Sequence, residues 1–284
     1  MLQLEASNSP VSALAFSPDS QLLATCARDG QLRFWDSSGE CIGEIVATPS
    51  KDRASLAWSP SGSFLVCGAE SNLGKFTLAG DTRPLLLKPM MLPISDLAFL
   101  SEDLLAVAGG IGVNLFDIPK REMRRGGKVE QKGAKRLAVH QSSKTLAWTT
   151  GENRLRIWKT TSQVPLDVPL GKTAGAVAFS PEGDFLAVAI GWEVKLIQNG
   201  DRYSDALLLG HKGQVSGVAF SADGRWLATA SWDETVRIWD RRSLREIRRF
   251  PTAIGQLLAL SLSPDGTRIA VSGASGNVLV IDAE

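Results

Sequence analysis

The sequence predicts an all-β fold in which seven four-stranded antiparallel blades stand radially around one axis. Three observations lead there. A short apolar strand that ends in a Ser-Pro-Asp-Gly-like turn recurs along all 284 residues. The residues opening that turn, Ser17, Ser59, Leu100, His140, Ser180, Ser221 and Ser263, are spaced by 42, 41, 40, 40, 41 and 42 positions. No segment carries an apolar stripe at helical spacing beyond two turns. A period near 41 residues with four short strands per unit is the mark of a β-propeller. Seven copies fill residues 1–284 as a single domain, with no room for a linker.

The units begin VSALAFSPDS at Val11, ASLAWSPSGS at Ala54, ISDLAFLSED at Ile94, KRLAVHQSSK at Lys135, GAVAFSPEGD at Gly175, VSGVAFSADG at Val215 and LLALSLSPDG at Leu257. Each opens with a short apolar or alternating strand of four to seven residues, bounded by turn chemistry. Pro fixes φ, Asp offers a side-chain acceptor, and Gly accepts φ > 0. In the sixth unit RWLATAS and TVRIWD follow as second and third strands around a tight Asp-Glu turn. Fourth strands fall in stretches such as 120–136 and 240–249. The chain ends GNVLVIDAE, after the third strand of the seventh unit. Residues Leu2 to Ala6 alternate apolar and polar, and are expected to supply the missing outer strand and lock the ring.

Composition excludes much and selects little. Hydrophobic residues make up 44% and charged residues 21%, as in ordinary soluble domains. A net charge of +1 gives no global pull toward nucleic acid or membrane. Three cysteines without a CxxC pair, Cys26, Cys41 and Cys67, fit a reducing compartment. The opening MLQLEASNSPVS has neither the basic nor the long apolar region of a signal peptide, and no apolar run reaches 18 residues. A cytoplasmic protein without a membrane span is expected.

The stretch from Gly210 to Asp240 holds His211, Ser231 and Asp233, the three residue types of a hydrolytic triad, in a chain with 2 histidines. Gly210-His211 followed by Trp239-Asp240 resembles the Gly-His to Trp-Asp frame of the WD-repeat family. Trp35-Asp36 and Trp158-Lys159 keep part of it, Phe116-Asp117 and Ile281-Asp282 less. The resemblance implies that His211, Ser231, Asp233 and Trp239 form a buried hydrogen-bonded chain inside one blade, a structural device without catalytic residues. The residues agree with that reading. Ser231 sits within an apolar strand without the GxSxG elbow of a hydrolase. Incomplete copies also recur at the repeat period: Thr150, Glu152 and Trp158 with Glu130 in the histidine position, and Asp29 and Trp35 with Ser7 there. Gly171-Lys172-Thr173 lacks the first glycine of a phosphate loop, where Leu166 stands, and its strand–helix context. No HxH, HExxH or acidic calcium loop is present, so no metal or other cofactor is expected. His140 replaces a turn serine and is expected at the surface.

Function is therefore sought on loops that rigid strands present on one face. In the family resembled, partners meet the face bearing the histidine loops and the second–third turns. Projecting those positions selects Trp232, Gln214 and Ser216 in the sixth unit, Trp192 in the fifth and Arg28 in the first. It also selects Asp52 and Glu70 in the second, Lys135 in the fourth and Leu258 in the seventh. Rigid indoles at turns have the character of binding hot spots. Residues 120–136 and 240–249 are strongly basic, which protects an outer edge from pairing and equally suits an acidic partner or nucleic acid. The reading is a non-enzymatic scaffold binding a protein on its loop face, alone as a monomer or as a subunit of a complex. A nucleic-acid-associated module using the basic edge is the alternative, and a propeller enzyme comes third.

Overall fold

Alternating short apolar strands and obligate turns leave each repeat one economical arrangement, an antiparallel meander with one inner, two middle and one outer strand. The computed structural model describes residues 1–46, 54–77, 85–89, 93–128, 133–162, 164–198 and 205–283. They form seven four-stranded antiparallel sheets and no helix. In blade six the strands are Val215–Phe220, Trp226–Ser231, Thr235–Asp240 and Glu246–Pro251, from the axis outward. The inner strands of successive blades contact one another all the way round, the seventh returning to the first, so the sheets close into a seven-bladed β-propeller. Blade seven takes its outer strand from the N-terminus: Leu2–Glu5 pairs with Asn277–Asp282 through Leu2↔Val280 to Glu5↔Asn277. The expected closure is present.

No blade has a core of its own. Seven apolar clusters each lie between two neighbouring blades. Leu32, Leu65, Leu105, Leu146, Leu186, Leu227 and Ile269 are wholly buried, one from each blade. Because each sheet is covered on both faces by its neighbours, its second strand reads as a nearly continuous apolar run (LATCA, FLAVAI, WLATAS). A blade cut from the ring would expose both faces.

Polar links between inner strands add a second fastening near the axis. Six of the seven inner strands slip register around their second residue, for example between Val11 and Ala13 and between Val215 and Gly217. Such a bulge turns one extra residue out of the ladder. Around it, the Ser12 hydroxyl accepts from Ala54 N at 3.1 Å, Ser55 donates to Asp96 at 2.8 Å, and Asp96 accepts from Leu137 N at 2.9 Å. Arg136 Nε donates to the Gly175 carbonyl at 2.7 Å, and Ser216 Oγ to the Leu257 carbonyl at 2.6 Å. Each of these bonds joins two adjacent blades.

At the opposite end the Ser-Pro-Asp-Gly turns also touch blade to blade. His140, expected as a surface turn residue, is half-buried and fastens blade four to blade five. Its Nδ1 meets Ser143 Oγ at 2.7 Å, Nε2 lies 2.9 Å from the Pro181 carbonyl, and the ring packs 5.8 Å from that of Phe179. A carbonyl only accepts, so Nε2 carries the proton.

Candidate functional site

In an antiparallel meander the start of the inner strand, the second–third turn and the end of the outer strand share one end of the blade. The seven tight turns thus share one face of the ring with the described connecting loops 6–10, 170–173, 209–214 and 252–256. The turns have φ > 0 in every blade, at Gly30, Glu70, Gly112, Asn153, Gly191, Glu234 and Gly276. Trp192 and Trp232 stand on the turns of adjacent blades, 62% and 42% exposed. A short path of backbone bonds fixes them relative to one another. Gly191 O accepts from Val215 N at 2.8 Å, and Gln214 O, one residue before, accepts from Trp232 N at 2.9 Å. Gly213 lets the loop press on that turn, since a Cβ there would lie 2.6 Å from Asp233 N and 2.9 Å from the Trp232 carbonyl carbon. Leu209, at 63% exposure, follows Leu208, the partner of Val194, and so ends beside the Trp192 turn. The sequence reading missed Leu209, because a single leucine at a strand end has no pattern of its own.

The other projected residues divide. Arg28 and Lys135 are exposed on this face, and Arg28 N donates to the Pro10 carbonyl at 3.0 Å. Gln214 and Glu70 are half-buried; the Glu70 carbonyl receives Ile94 N at 2.6 Å, tying blade two to blade three. Asp52 lies outside the described residues. Ser216 and Leu258 do not project onto the face. The inner-strand bulge places them in the wall of the axial channel, where Ser216 Oγ already bonds the Leu257 and Ala230 carbonyls.

Beneath Trp232 lies the polar chain of blade six. His211 Nδ1 is 2.9 Å from Asp233 Oδ2, His211 Nε2 is 2.7 Å from Thr229 Oγ1, and Trp239 Nε1 donates to Thr229 Oγ1 at 2.9 Å. A carboxylate at Nδ1 and an indole donor behind Thr229 assign one direction of donation: Trp239 to Thr229, Thr229 to Nε2, Nδ1–H to Asp233. That order requires neutral histidine. Ser231 is corrected to a side branch: fully buried, its hydroxyl donates to Gly213 O at 2.9 Å and receives Asp233 N, while Thr229 holds the middle of the chain. The hydroxyl facing the imidazole is therefore Thr229, itself buried, and the three residues do not make a hydrolytic triad. Asp233 further accepts from Lys212 N at 2.8 Å and Thr235 Oγ1 at 2.7 Å, and lies 3.6 Å from the buried Arg237, which pairs with Glu246 at 2.8 Å.

The partial copies follow the same chemistry as far as their residues allow. In blade one Trp35 donates to Thr25 at 2.9 Å and Ser7 to Asp29 at 2.7 Å, so the chain splits in two because serine is too short to bridge. Blade four has abandoned it. Trp148 occupies the position of Thr229, and the Trp158 indole donates instead to the Ser162 carbonyl at 3.0 Å. Glu130 lies outside the described residues.

Burial is the main influence on His211 and pushes its pKa below the usual 6.5, outweighing the pull of Asp233. Burial also raises Asp233, but the bonds from Thr235, Lys212 N and His211 overcome it and hold this carboxyl at about 2. Both groups bind more protons when unfolded, so each adds stability as pH rises. The His211 contribution is complete above 6.5 and is lost as pH falls below it; that of Asp233 is lost from 3.8 down to about 2. Denaturant midpoints should therefore already fall between pH 7.5 and pH 5.5. His211→Gln should flatten that upper window; an equal slope in the variant would assign it elsewhere.

The basic segments prove to be two different surfaces. Glu122–Lys128 and Glu246–Pro251 are outer strands, as expected, but Lys135 and Arg136 belong to the inner strand Ala134–His140 at the axis. Arg241 is turned toward blade five, 3.4 Å from Asp184 and over the ring of Phe185. Arg249 pairs with Glu246 at 2.8 Å. Arg242, Arg245 and Arg248 are exposed; the charge of Arg242 helps to hold Asp240 below the usual carboxylate range, while Arg245 and Arg248 have no carboxylate within ion-pair distance among the described residues.

Known sequences resemble this chain in the same places. The family described as "WD domain, G-beta repeat" matches residues 1–36 and 204–240, the two stretches that contain the Thr–Trp links. A WD repeat-containing protein of Synechocystis sp. is 31% identical over 144 residues, 49% of this chain and 41% of that protein. Periodic tryptophan protein 2 of Saccharomyces cerevisiae is 39% identical over 77 residues, 27% of this chain and 8% of its own. Target of rapamycin complex subunit wat1 of Schizosaccharomyces pombe is 39% identical over 69 residues, 24% of this chain and 22% of its own. The chain thus covers less than half the length of each of these relatives.

Proposed function

Because this chain belongs to the WD-repeat β-propeller family, we propose that it is a non-enzymatic scaffold that binds a protein partner on its loop face. One observation carries the reading: two exposed indoles, Trp192 and Trp232, are held on adjacent turns by the backbone path through Val215 and Gln214. Most large apolar side chains of the ring are buried between blades, and an indole held in water on a fixed turn supplies contact area with little loss of entropy on binding. A relative named as a subunit of a complex supports a role within an assembly. Arg28, Lys135, Gln214 and Glu70 form the polar rim.

The test begins with tagged capture of a partner and its identification by mass spectrometry. Trp192→Ala with Trp232→Ala is expected to weaken association by about 2 kcal/mol or more, roughly thirtyfold, with little change in unfolding midpoint. Neutralising Arg242, Arg245 and Arg248 should alter mainly its salt dependence. The exposed guanidiniums of Arg242, Arg245 and Arg248 favour a second reading, an acidic partner or nucleic acid on the outer edge of blade six. Full binding by the tryptophan variant with loss in the arginine variant would move the site there.

A further inference from the structure

On the axis, at the loop-face end of the inner strands, lies a cavity of about 180 Å³ whose wall is built from all seven blades. It is smaller than the roughly 300 Å³ at which ordinary small-molecule sites begin, so it suits a single side chain or a small ion. Its wall holds one carboxylate and one guanidinium, and the two are not equivalent. Asp96 is consumed by the ring: Oδ1 accepts from Ser55 Oγ at 2.8 Å and Leu97 N at 3.0 Å, and Oδ2 accepts from Leu137 N at 2.9 Å.

Arg136 keeps donors in hand. Nε bonds the Gly175 carbonyl at 2.7 Å and Nη1 the Lys135 carbonyl at 3.2 Å. One Nη1 proton and both Nη2 protons then have no acceptor among the described residues, and no carboxylate of the described residues lies within ion-pair distance of the guanidinium. Two further donors line the cavity. The Ser12 hydroxyl accepts from Ala54 N, which leaves its own proton unassigned, and Ser95 has no bonded partner among the described residues. Lys135, beside Arg136, is exposed at the rim. The recess thus offers a guanidinium fork and hydroxyl protons, while its one carboxylate is already bonded.

We propose that the channel mouth is an anion subsite that receives a carboxylate side chain of the docked protein, bound end-on by Nη1 and Nη2 of Arg136. The proposal rests on the loop face being the docking surface. A partner seated there covers the mouth, and an inserted glutamate or aspartate neutralises a half-buried cation with the bidentate geometry that guanidinium favours. The channel would set which residue the partner places on the axis, and the tryptophans how tightly it holds.

The test needs no partner. N-acetylglutamate methylamide, its glutamine counterpart and inorganic phosphate are titrated into isotope-labelled chain while the Arg136 Nε–H resonance is followed. The glutamate probe is expected to shift it saturably, with the glutamine probe at least about tenfold weaker. Arg136→Lys, which keeps the charge and loses the fork, should weaken the glutamate probe by about tenfold, read in this variant from the backbone amide resonances of the cavity residues Ser95 and Asp96. Arg136 also links two blades, so a second variant is used: Ser95→Asp places a carboxylate in the recess and should abolish saturation with the amide spectrum otherwise unchanged. Equal response to glutamate and glutamine probes, shifts spread over Arg242, Arg245 and Arg248, or no effect of Ser95→Asp would each overturn the proposal. Phosphate bound more tightly than the glutamate probe would overturn it in favour of a free anion. A chain that ignores the glutamate probe yet loses its partner on tryptophan substitution sinks this inference and leaves the loop-face reading standing; the converse result separates them the other way.

Discussion

Removal of residues 1–6 is expected to cost about 4 kcal/mol or more of stability: about 2 for the buried Leu4 side chain and about 1 for each ladder bond lost. Leu4 and Ala6 are 4% and 2% exposed and pack with Val11, Phe16, Val278 and Val280 between blades one and seven. Without the strand Leu2–Glu5, the edge of Asn277–Asp282 would stand open along its ladder. Such an edge also templates pairing with other chains, so solubility should fall together with the unfolding midpoint. Leu4→Ala isolates the packing share and should cost about 2–3 kcal/mol. Hydrogen exchange provides the direct check: rapid exchange at residues 2–5 in the intact chain, or an unchanged midpoint after the deletion, would contradict closure at this seam.

Thr229→Val is expected to destabilise blade six by about 2–6 kcal/mol, from two orphaned buried groups at about 1–3 kcal/mol each. The substitution is nearly isosteric and makes no cavity. It removes the hydroxyl that donates to His211 Nε2 and accepts from the Trp239 indole, leaving one acceptor and one donor without partners under apolar strands. His211→Ala should cost less, about 1–3 kcal/mol, because Asp233 keeps Lys212 N and Thr235, and Thr229 keeps Trp239. Denaturant midpoints of the two variants measure this order. If Thr229→Val left the midpoint where it was, the directional chain would be wrong; a larger loss in His211→Ala would return the central role to the imidazole. The cost of Thr229→Val should shrink in a Trp239→Phe background, where no indole donor remains to be orphaned.

The architecture was legible because it is a one-dimensional property. A strand–turn unit repeated at 40–42 residues fixes the number of blades, and Leu2 to Ala6 answers the strand missing after Asn277–Asp282. The resemblance to the WD-repeat family marked His211, Asp233 and Trp239 as partners, and the repeat period placed Trp192 and Trp232 on equivalent turns. Legibility ended where an interaction crosses between blades or depends on which way a side chain leaves its strand. Thr229 is an ordinary strand residue until the fold aims its hydroxyl between an imidazole and an indole, and Ser231, two positions on, points along the same face at a loop carbonyl. Ser216 and Leu258 project onto the loop face in the sequence because the repeat gives their position along the strand, whereas the bulge that turns them to the axis is a slip of pairing. Lys135 and Arg136 read as part of one basic segment, yet a chain reversal separates them from the outer strand Glu122–Lys128. By itself the sequence determined the repeat, the ring and the loop face, since periodicity and turn chemistry are local. Only the tertiary structure decided which polar groups are already satisfied and which, like the Arg136 guanidinium, still have protons to offer, because hydrogen bonding is settled by neighbours that lie some forty residues away.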